Sequence, residues 1–271
     1  MLWQIIKTLK IMTIMTQQIQ KKFSKAAFTY DDAAQFQQAT AKNLFDRLDF
    51  LNIDPKVILD LGTGTGYALK GLQHRYPKAA VWGVDFAYDM VKYAQEKFSL
   101  ATGITADAHY LPFADRSVDV IFSNLLIQWS DDITQLFKEC RRVLRPGGVF
   151  LFSTLGPDTL KELRQAWAAV DHHGHVNNFA DMHDVGDALL AACLLAPVMD
   201  RSEEVQHYKT VHDILKMLKN IGASNNTENG YKGLMTKKRL NAMINAYEKV
   251  DDMYLVTYEV LYGIAWGPKL R

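Results

Sequence analysis

Cysteine is scarce in this chain of 271 residues, which has only Cys140 and Cys193. Neither cysteine belongs to a CxxC or Cys/His pattern with metal-ligand spacing, so the sequence predicts no metal site. Both lie in apolar segments with helix-like spacing. We therefore expect two buried, reduced thiols in a cytoplasmic protein, because disulfides are rare in that compartment.

An excess of charge of one sign is also missing. The chain has 31 basic and 30 acidic residues, a formal net charge of +1. Such a balance creates no overall field that would attract nucleic acid or an anionic membrane, so we expect no nucleic-acid partner. A charged partner would have to be recognised by a local patch.

Long apolar runs are missing as well. The first twenty residues are rich in apolar side chains, but Lys7 and Lys10 interrupt them and no signal-peptide cleavage site follows. We predict that residues 1–21 form a disordered or amphipathic leader, with a short helix on a membrane surface as the alternative. No stable membrane insertion is expected.

The chain does contain a regular alternation of two kinds of segment. Short apolar runs, typical of buried parallel strands, alternate with segments of helical spacing. The predicted strands are 57–62, 79–85, 104–106, 118–124 and 149–154. The predicted helices are 67–75, 88–98 and 132–144, followed by a turn at the Arg-Pro-Gly-Gly of 145–148. This order predicts a doubly wound, Rossmann-like α/β sheet.

The segments on either side of this core are mainly helical. Residues 22–54 are predicted to form a helical cap in front of a cofactor-binding core at 55–154. Helix-like stretches then follow at 159–170, 182–193, 211–221 and 236–250. Candidate strands at 198–208 and 255–266 are predicted to close the sheet as an antiparallel edge. The helices of 155–271 would form a lid over the cofactor side of a single domain.

A glycine-rich loop follows the first predicted strand. It reads Asp60-Leu-Gly62-Thr-Gly64-Thr-Gly66, at the strand end where doubly wound sheets bind ligands. Tyr67 occupies the place of the third glycine of a dinucleotide fingerprint, which disfavours a nicotinamide cofactor. Alternating glycines let the backbone approach a ligand closely, which suits the amino-acid end of S-adenosylmethionine, and Asp60 could face its ammonium group. Alone, such a loop is often an ordinary turn.

Acidic residues end or follow the next two strands. Asp85 ends the second strand, the position from which a carboxylate can accept hydrogen bonds from both hydroxyls of a ribose. Phe86 could cover the adenine. Asp107 could accept from the exocyclic amine of the adenine, and the backbone of Ala108 could contact the ring edge. The alternative for any single aspartate at a strand end is a helix cap.

The end of the fourth strand is the predicted place of group transfer. Asn124 and Leu125 lie there, so the methyl group and its acceptor should meet beside them. The glycine loop, the acid after strand two, the Asp-Ala pair after strand three and the Arg-Pro-Gly-Gly turn before strand five occur in one consistent order. Together they indicate the cofactor site more strongly than any one of them.

These motifs resemble a known family. Residues 57–154 are similar to class I methyltransferases, which include enzymes of quinone synthesis and of trans-aconitate methylation. The flanking segments are more specific, and resemble the malonyl-[acyl-carrier-protein] O-methyltransferases of biotin synthesis. Those segments are FSKAAFTYDDAAQFQ at 23–37, SNLLIQW at 123–129, FSTLGPDTLKELRQAW at 152–167, HVNNFADMHDVGDAL at 175–189 and IGASNNTENG at 221–230. Segments outside the cofactor fold select the substrate, so they carry more weight.

The resemblance implies a reaction and a partner. A methyl group would pass from S-adenosylmethionine to the free carboxylate of a malonyl thioester on acyl carrier protein, priming pimelate synthesis. A carboxylate with a pKa near about 4 is already ionised at neutral pH, so no general base is needed, and none is evident. Alignment of the reacting atoms would supply most of the catalysis.

Four residues are candidates for the acceptor side. Tyr30 could touch the carboxylate or the cofactor through its hydroxyl, or could simply pack its ring. Arg164 could hold the malonyl carboxylate in a bidentate contact, or could be a solvated arginine on a helix surface. Gln128 and Trp129 could form a wall of the acyl site, with a plain core position as the alternative for Trp129.

Clusters of like residues are the last feature of the sequence. Three neighbouring histidines have no regular ligand spacing and are interpreted as a surface loop rather than a metal site: His172, His173 and His175. Two basic clusters could dock the acidic carrier protein, although a charge run is usually only a solvated surface. They are Lys237, Lys238 and Arg239, and Lys21, Lys22 and Lys25.

Two other functions stay open from the sequence. The first is a methyltransferase of the same fold that acts on a quinone ring or on a free carboxylic acid. The second is an assembly factor or hydroxylase that keeps the cofactor fold without methylating, because related mitochondrial proteins resemble this family. The segments at 152–167 and 221–230 argue against the first. Release of S-adenosylhomocysteine would exclude the second.

Overall fold

The computed structural model describes residues 20, 24, 34–98, 102–221 and 236–269. Eight α-helices, one 3₁₀ helix at Ile127–Trp129 and eight strands have their bounds within these residues. The helices are α1 Gln35–Leu48, α2 Tyr67–Arg75, α3 Tyr88–Lys97, α4 Ile133–Val143, α5 Lys161–Ala168, α6 Met182–Ala191, α7 Val211–Asn220 and α8 Lys237–Ala246. The strands are β1 Val57–Leu61, β2 Ala80–Asp85, β3 Thr102–Thr105, β4 Val118–Asn124, β5 Leu144–Leu155, β6 Leu195–Tyr208, β7 Lys249–Val250 and β8 Met253–Trp266.

The strands form one mixed sheet in the order β3-β2-β1-β4-β5-β8-β6, with β7 paired to β8. Strands β1 to β5 run parallel, and β8 is antiparallel to both β5 and β6. The jump from β3 across β1 to β4 reverses the winding direction, and doubly wound sheets bind ligands at such a switch point. The predicted fold class and the predicted antiparallel edge are confirmed.

Apolar side chains on both faces of the sheet hold the helices in place. Helices α1, α2, α5, α7 and α8 contribute to one core cluster, and α4 and α6 contribute to the other. In β1, Ile58 belongs to the first cluster and Leu59 to the second, and neither has exposed surface. A strand covered on both faces needs apolar residues at successive positions, which explains the continuous run that predicted it.

Helix starts are set by local capping. Asp132 accepts a hydrogen bond from the backbone N–H of Gln135 at the start of α4, and Thr210 caps α7 by accepting from Asp213. Such caps satisfy backbone donors that have no partner inside the helix.

The direction of the edge strands places α7 and α8 near the carboxyl ends of β1 to β5. This edge of the sheet, where the cofactor was predicted to bind, is called the cofactor edge. Strand β6 runs parallel to β5 and ends at Tyr208 beside Tyr254, the second residue of β8. The segment that carries α7 and α8 therefore begins and ends near the carboxyl ends of the parallel strands. Its position agrees with the predicted lid, whereas a role in covering substrate stays a prediction.

Three details differ from the sequence predictions. Strand β5 begins at Leu144, because Leu144 pairs with Val118 and a bulge absorbs the predicted turn, where Gly147 has a φ of 76°. The prediction of a buried Cys193 is wrong, since α6 ends at Ala191 and leaves that thiol exposed, while Cys140 is buried. The helix predicted at 236–250 is too long, because α8 ends at Ala246 and Lys249–Val250 form strand β7 against β8, a strand too short to leave a pattern in the sequence.

Within the described part of the chain, none of the helices has the length and apolar character needed to cross a lipid bilayer.

Candidate functional site

The glycine loop follows β1 directly and depends on its three glycines. Gly62, Gly64 and Gly66 have φ values of 79°, 51° and 83°, which residues with a side chain rarely adopt. A Cβ atom at Gly62 would lie 3.0 Å from Leu126, whereas a Cβ atom at Gly64 would meet no atom within 4 Å. The space beside Gly64 is therefore free of protein atoms, and the contact of this loop with a ligand stays a prediction.

Asp60, at the end of β1, is buried with 1% of its surface exposed. Its Oδ2 accepts a hydrogen bond of 2.7 Å from the hydroxyl of Thr63. Burial raises the pKa of Asp60 to about 7, the Thr63 hydrogen bond opposes this shift, and the nearby Asp85 adds to it. A buried carboxylate without a cation is costly, so the site is suited to a positively charged ligand group.

Asp85 ends β2 and is bound to the backbone through both oxygens. Oδ2 accepts from the N–H of Gly64 at 2.9 Å, and Oδ1 accepts from the N–H of Ala87 at 2.9 Å. Burial raises the pKa of Asp85 to about 6 even though these hydrogen bonds lower it. Each carboxylate oxygen can accept more than one hydrogen bond, so acceptor capacity is left for a ribose diol.

Phe86 follows at the edge of the same site and is partly buried. Its backbone carbonyl accepts a hydrogen bond of 2.6 Å from the side chain of Gln20, a helical residue. Gln20 belongs to the segment predicted as a leader, so this residue reaches the cofactor edge. The rest of that prediction lies outside the described residues.

Asp107 lies after β3 and is part of a chain of polar contacts. Its Oδ1 accepts from the N–H of His109 at 2.9 Å and lies 2.7 Å from Nδ1 of the same histidine. Nε2 of His109 lies 2.8 Å from the hydroxyl of Ser130. The hydrogen bond to His109 lowers the pKa of Asp107 and raises that of His109. Asp107 is about half exposed, and Ala108 beside it is partly buried.

Two residues of α4 hold the loop that carries Asp107 and Ala108. Oε1 of Glu139 accepts from the N–H of Leu111 at 2.7 Å, and Arg142 donates to the carbonyls of Leu111 and Phe113 at 2.9 Å. These two positioning residues were not predicted from the sequence. An arginine and a glutamate three residues apart on a helix give no signal for a loop more than twenty residues earlier in the chain.

Strand β4 ends at Asn124, as predicted, and Leu125 follows it next to the glycine loop. Leu125 has a φ of 55°, and its N–H donates to Ser153. The side chain of Asn124 accepts from the Ser153 hydroxyl at 2.8 Å and donates to the carbonyl of Gln37 at 3.0 Å. The end of β4 is therefore held rigidly between β5 and α1.

Gln128 and Trp129 lie in a short 3₁₀ helix, Ile127–Trp129, immediately after this point. The amide of Gln128 donates to the carbonyl of Leu125 at 2.8 Å and accepts from the hydroxyl of Thr154 at 3.2 Å. Trp129 is partly buried. Both therefore lie beside the predicted place of methyl transfer, and their roles at an acyl site stay predictions.

The loop 156–160 after β5 is clamped to β8. Oε2 of the buried Glu259 accepts from the N–H of Asp158 at 3.0 Å, and the backbone of Glu259 exchanges hydrogen bonds with the Thr159 hydroxyl. Arg164 donates to the carbonyls of Pro157 and Thr159 at 2.9 and 3.2 Å. This geometry indicates that Arg164 holds the loop in place. It gives less support to the other predicted role, a contact with a substrate carboxylate.

The remaining candidates are divided. Tyr30, the basic cluster at 21, 22 and 25, and nearly all of the segment 221–230 lie outside the described residues.

The side chain of His175 is only 7% exposed and stacks on Trp167 with ring centroids 3.8 Å apart, so the surface-loop prediction is wrong for this histidine. Asp171 contacts both His175, at 2.9 Å, and Arg239. Among the described residues, no group of three or more potential ligands could hold a metal ion.

The chemistry around the end of β4 is neutral. Asn124, Gln128, Ser153 and Thr154 offer amides and hydroxyls, which position groups but do not remove protons at neutral pH. The two buried carboxylates, Asp60 and Asp85, lie on the glycine-loop side. The arrangement suits the transfer of a group to an acceptor that is already a nucleophile.

The comparisons with known proteins agree with this geometry. A family model described as a methyltransferase domain matches residues 59–152. The malonyl-[acyl-carrier protein] O-methyltransferase 1 of Coxiella burnetii is 44% identical over 252 residues, which cover 92% of this chain and 87% of that protein.

Solved structures share the fold at low sequence identity. A putative methyltransferase of Bacillus halodurans superposes with a TM-score of 0.61 at 15% identity, over 85% of this chain and 100% of that one. The geranyl diphosphate C-methyltransferase of Streptomyces coelicolor, solved with S-adenosyl-L-homocysteine, has a TM-score of 0.51 at 18% identity, over 84% of this chain and 78% of that one.

The fold, the open space beside Gly64 and the two buried carboxylates fit the cofactor that the sequence predicted, and the family match confirms it. The chain belongs to the malonyl-[acyl-carrier protein] O-methyltransferase family and is an S-adenosylmethionine-dependent methyltransferase.

Proposed function

We propose that this protein methylates the free carboxylate of a malonyl thioester carried on acyl carrier protein, a step toward pimelate in biotin synthesis. The observation that carries the proposal is the identity of 44% to the Coxiella burnetii protein, over 92% of the chain. Similarity of that extent includes the segments outside the cofactor core, and those segments determine which acceptor is bound.

The neutral lining at the end of β4 supports a carboxylate acceptor. When bound, S-adenosylmethionine supplies an activated methyl group. A malonyl carboxylate with a pKa near about 4 needs no base to become a nucleophile, so amides and hydroxyls such as Asn124 and Gln128 suffice to orient it. A quinol ring hydroxyl, with a pKa near that of tyrosine at about 10, would need a base, and none of Asn124, Gln128, Ser153 and Thr154 is one. The imidazole of His109 is already bound to Asp107 and to the hydroxyl of Ser130.

The residues of this chain act by alignment. Asn124 is fixed by Ser153, and Gln128 by Leu125 and Thr154, so neither amide has to reorganise when the acceptor arrives. Such preorganisation can lower a barrier by roughly 7–11 kcal/mol in well-oriented systems. The clamped loop 156–160 forms a rigid segment next to these groups.

The acceptor is tested by supplying a series of thioesters and measuring methyl ester formation and S-adenosylhomocysteine release. We expect malonyl carrier protein to react and acetyl carrier protein, which has no carboxylate, to give no product. Succinyl and glutaryl thioesters should react on the order of 10²-fold more slowly, since a shift of about 1 Å spoils alignment. Methylation of free malonate but not of the thioester, or turnover of a quinol instead, would overturn the proposal.

We further propose that Lys237 and Lys238 on α8 dock the carrier protein. Both are exposed, and α8 lies at the carboxyl edge of the sheet, where the acyl group must enter. Arg239 is partly buried and contacts Asp171, so it fixes α8 to the segment after α5 rather than presenting a charge to a partner. An acidic carrier surface would be attracted to the two lysines.

A further inference from the structure

Gln37 lies in the first turn of α1 and contacts the end of β4. Its backbone carbonyl accepts the hydrogen bond of 3.0 Å from Asn124, a residue 87 positions later in the chain. Asn124 is itself fixed by the Ser153 hydroxyl. The first turn of α1 is thus attached to the point where the methyl group should meet its acceptor.

The side-chain oxygen of Gln37 is buried and has no hydrogen-bond partner. The great majority of buried polar atoms in folded proteins have a partner, so an orphaned acceptor calls for an explanation. Three buried side-chain atoms of the described residues are in this state, and of these only Oε1 of Gln37 belongs to a residue bonded to the β4 end. A ligand that donates a hydrogen bond there would satisfy it.

The chemistry of the orphaned atom selects the ligand group. An amide oxygen only accepts hydrogen bonds, and an ionised carboxylate also only accepts, so the proposed acyl substrate cannot satisfy Gln37 through its carboxylate. The ammonium of the cofactor's amino-acid end has three donors. It belongs at the glycine loop, and that loop is adjacent to the β4 end, since a Cβ atom at Gly62 would lie 3.0 Å from Leu126.

We propose that Oε1 of Gln37 accepts a hydrogen bond from the ammonium group of S-adenosylmethionine, so that α1 supplies a direct contact to the cofactor. Asp60 and Gln37 would then share this group, one as a charge and the other as a neutral acceptor. The contact would attach the helical cap to the cofactor and, through Asn124, to the site of transfer.

Binding calorimetry tests this contact without any acyl substrate. S-adenosylhomocysteine carries the ammonium, and 5′-methylthioadenosine has the same nucleoside and sulfur without it. Gln37→Met keeps the shape of the side chain and removes the acceptor. We expect it to weaken S-adenosylhomocysteine binding about 10- to 100-fold and to leave 5′-methylthioadenosine affinity within about twofold of wild type.

Two matched variants isolate the effect of the Gln37 oxygen. Gln35→Met changes an exposed glutamine in the same turn and should affect neither ligand. Gln37→Glu keeps an acceptor oxygen, so it should bind S-adenosylhomocysteine at least as tightly as wild type. Equal weakening of both ligands by Gln37→Met, loss of affinity in Gln37→Glu, or unchanged S-adenosylhomocysteine affinity with a raised KM for the acyl substrate would each overturn the inference. The readout is independent of which acceptor the enzyme uses.

Discussion

At the scale of single residues, the site is dominated by two buried carboxyl groups. Asp60 and Asp85 both have raised pKa values, about 7 and about 6, because burial disfavours their ionised forms. Among the residues that the structure describes, no lysine or arginine contributes to either shift. A ligand with a cation and a diol provides what both groups lack, so its binding would offset the cost of burying them.

Asp85→Ala should weaken S-adenosylhomocysteine binding by roughly 1.5–3 kcal/mol, because the ribose loses hydrogen bonds to a charged acceptor. Calorimetry measures the change. Asp119→Ala is the matched control, since Asp119 binds the N–H groups of Lys56 and Val57 at the opposite edge of the sheet. That variant should lose some stability and no affinity. Unchanged affinity in Asp85→Ala would remove Asp85 from the site.

Cofactor affinity should rise with pH between about pH 5 and 7.5. In the free protein Asp60 is largely protonated below its pKa of about 7, and a bound ammonium group favours the ionised form. Binding therefore releases a proton, and the affinity gains up to about tenfold per pH unit before it levels off. Asp60→Asn should remove most of this slope in calorimetric titrations. An equal slope in the variant would assign the proton to another group.

The free protein should show the opposite trend in stability. A carboxyl whose folded pKa is raised stabilises the fold fully below its unfolded pKa, and this contribution is lost as the pH rises through the folded value. The unfolding free energy contributed by Asp60 should therefore fall from about pH 4 to about pH 7. Denaturant unfolding across this range should show a weaker pH dependence for Asp60→Asn than for wild type.

At the scale of elements, the loop 156–160 shows how a distant strand positions a local motif. The Gly-Pro-Asp-Thr-Leu segment suggested substrate selection, and the structure shows that its shape is set by Glu259 of β8 and by Arg164 of α5. A Cβ atom at Gly156 would overlap the carboxylate of Glu259, which would then have to move from its contact with the N–H of Asp158. The glutamate and the glycine are one structural unit.

Gly156→Ala should destabilise the protein by about 1–3 kcal/mol, the usual range for overpacking. Gly186→Ala is the control. It lies in α6 with no atom closer than 3.9 Å to an added Cβ, so it should stabilise by about 0.5–1 kcal/mol. Denaturant unfolding of both variants gives the comparison. Equal, small effects would mean that the loop moves freely away from β8.

At the scale of the whole molecule, the two parts of the sheet have different roles. Strands β1 to β5 present the cofactor edge, β6 returns the chain to that edge, and β8 starts from it, so α7 and α8, which lie between β6 and β8 in the chain, begin and end there. Because α1, α5, α7 and α8 share one core cluster, the cap and the later helices are not independent additions. A carrier protein that reaches α8 is therefore recognised by an element packed on the same core as the site.

Charge reversal of Lys237 and Lys238 to glutamate, with Arg239 unchanged, should raise the KM for malonyl carrier protein by about tenfold and that for malonyl-CoA much less. Only the carrier presents an acidic protein surface. Lys138→Glu, an exposed change on α4 at the other face, should alter neither constant. Steady-state kinetics with both substrates provide the measurement, and equal changes for the two would place the docking surface elsewhere.

Much of the fold could be predicted from local patterns in the sequence. Buried parallel strands need apolar residues on both faces, so β1, β2 and β4 stand out as short apolar runs, and β4 was predicted with its observed bounds. The glycine loop and Asp85 could also be predicted from local sequence. Their chemistry depends on positive φ angles and on a strand end, and both leave a mark within a few neighbouring residues.

The contacts that fix the site join residues far apart in the chain, and no local pattern marks them. Gln37 meets Asn124 across 87 positions, Asp158 meets Glu259 across 101, and Arg239 meets Asp171 across 68. Each pairing exists because the sheet brings two otherwise ordinary polar residues together. For that reason His175 and Arg239, which were predicted to lie on the surface, are partly buried, while Cys193, which was predicted to be buried, is exposed.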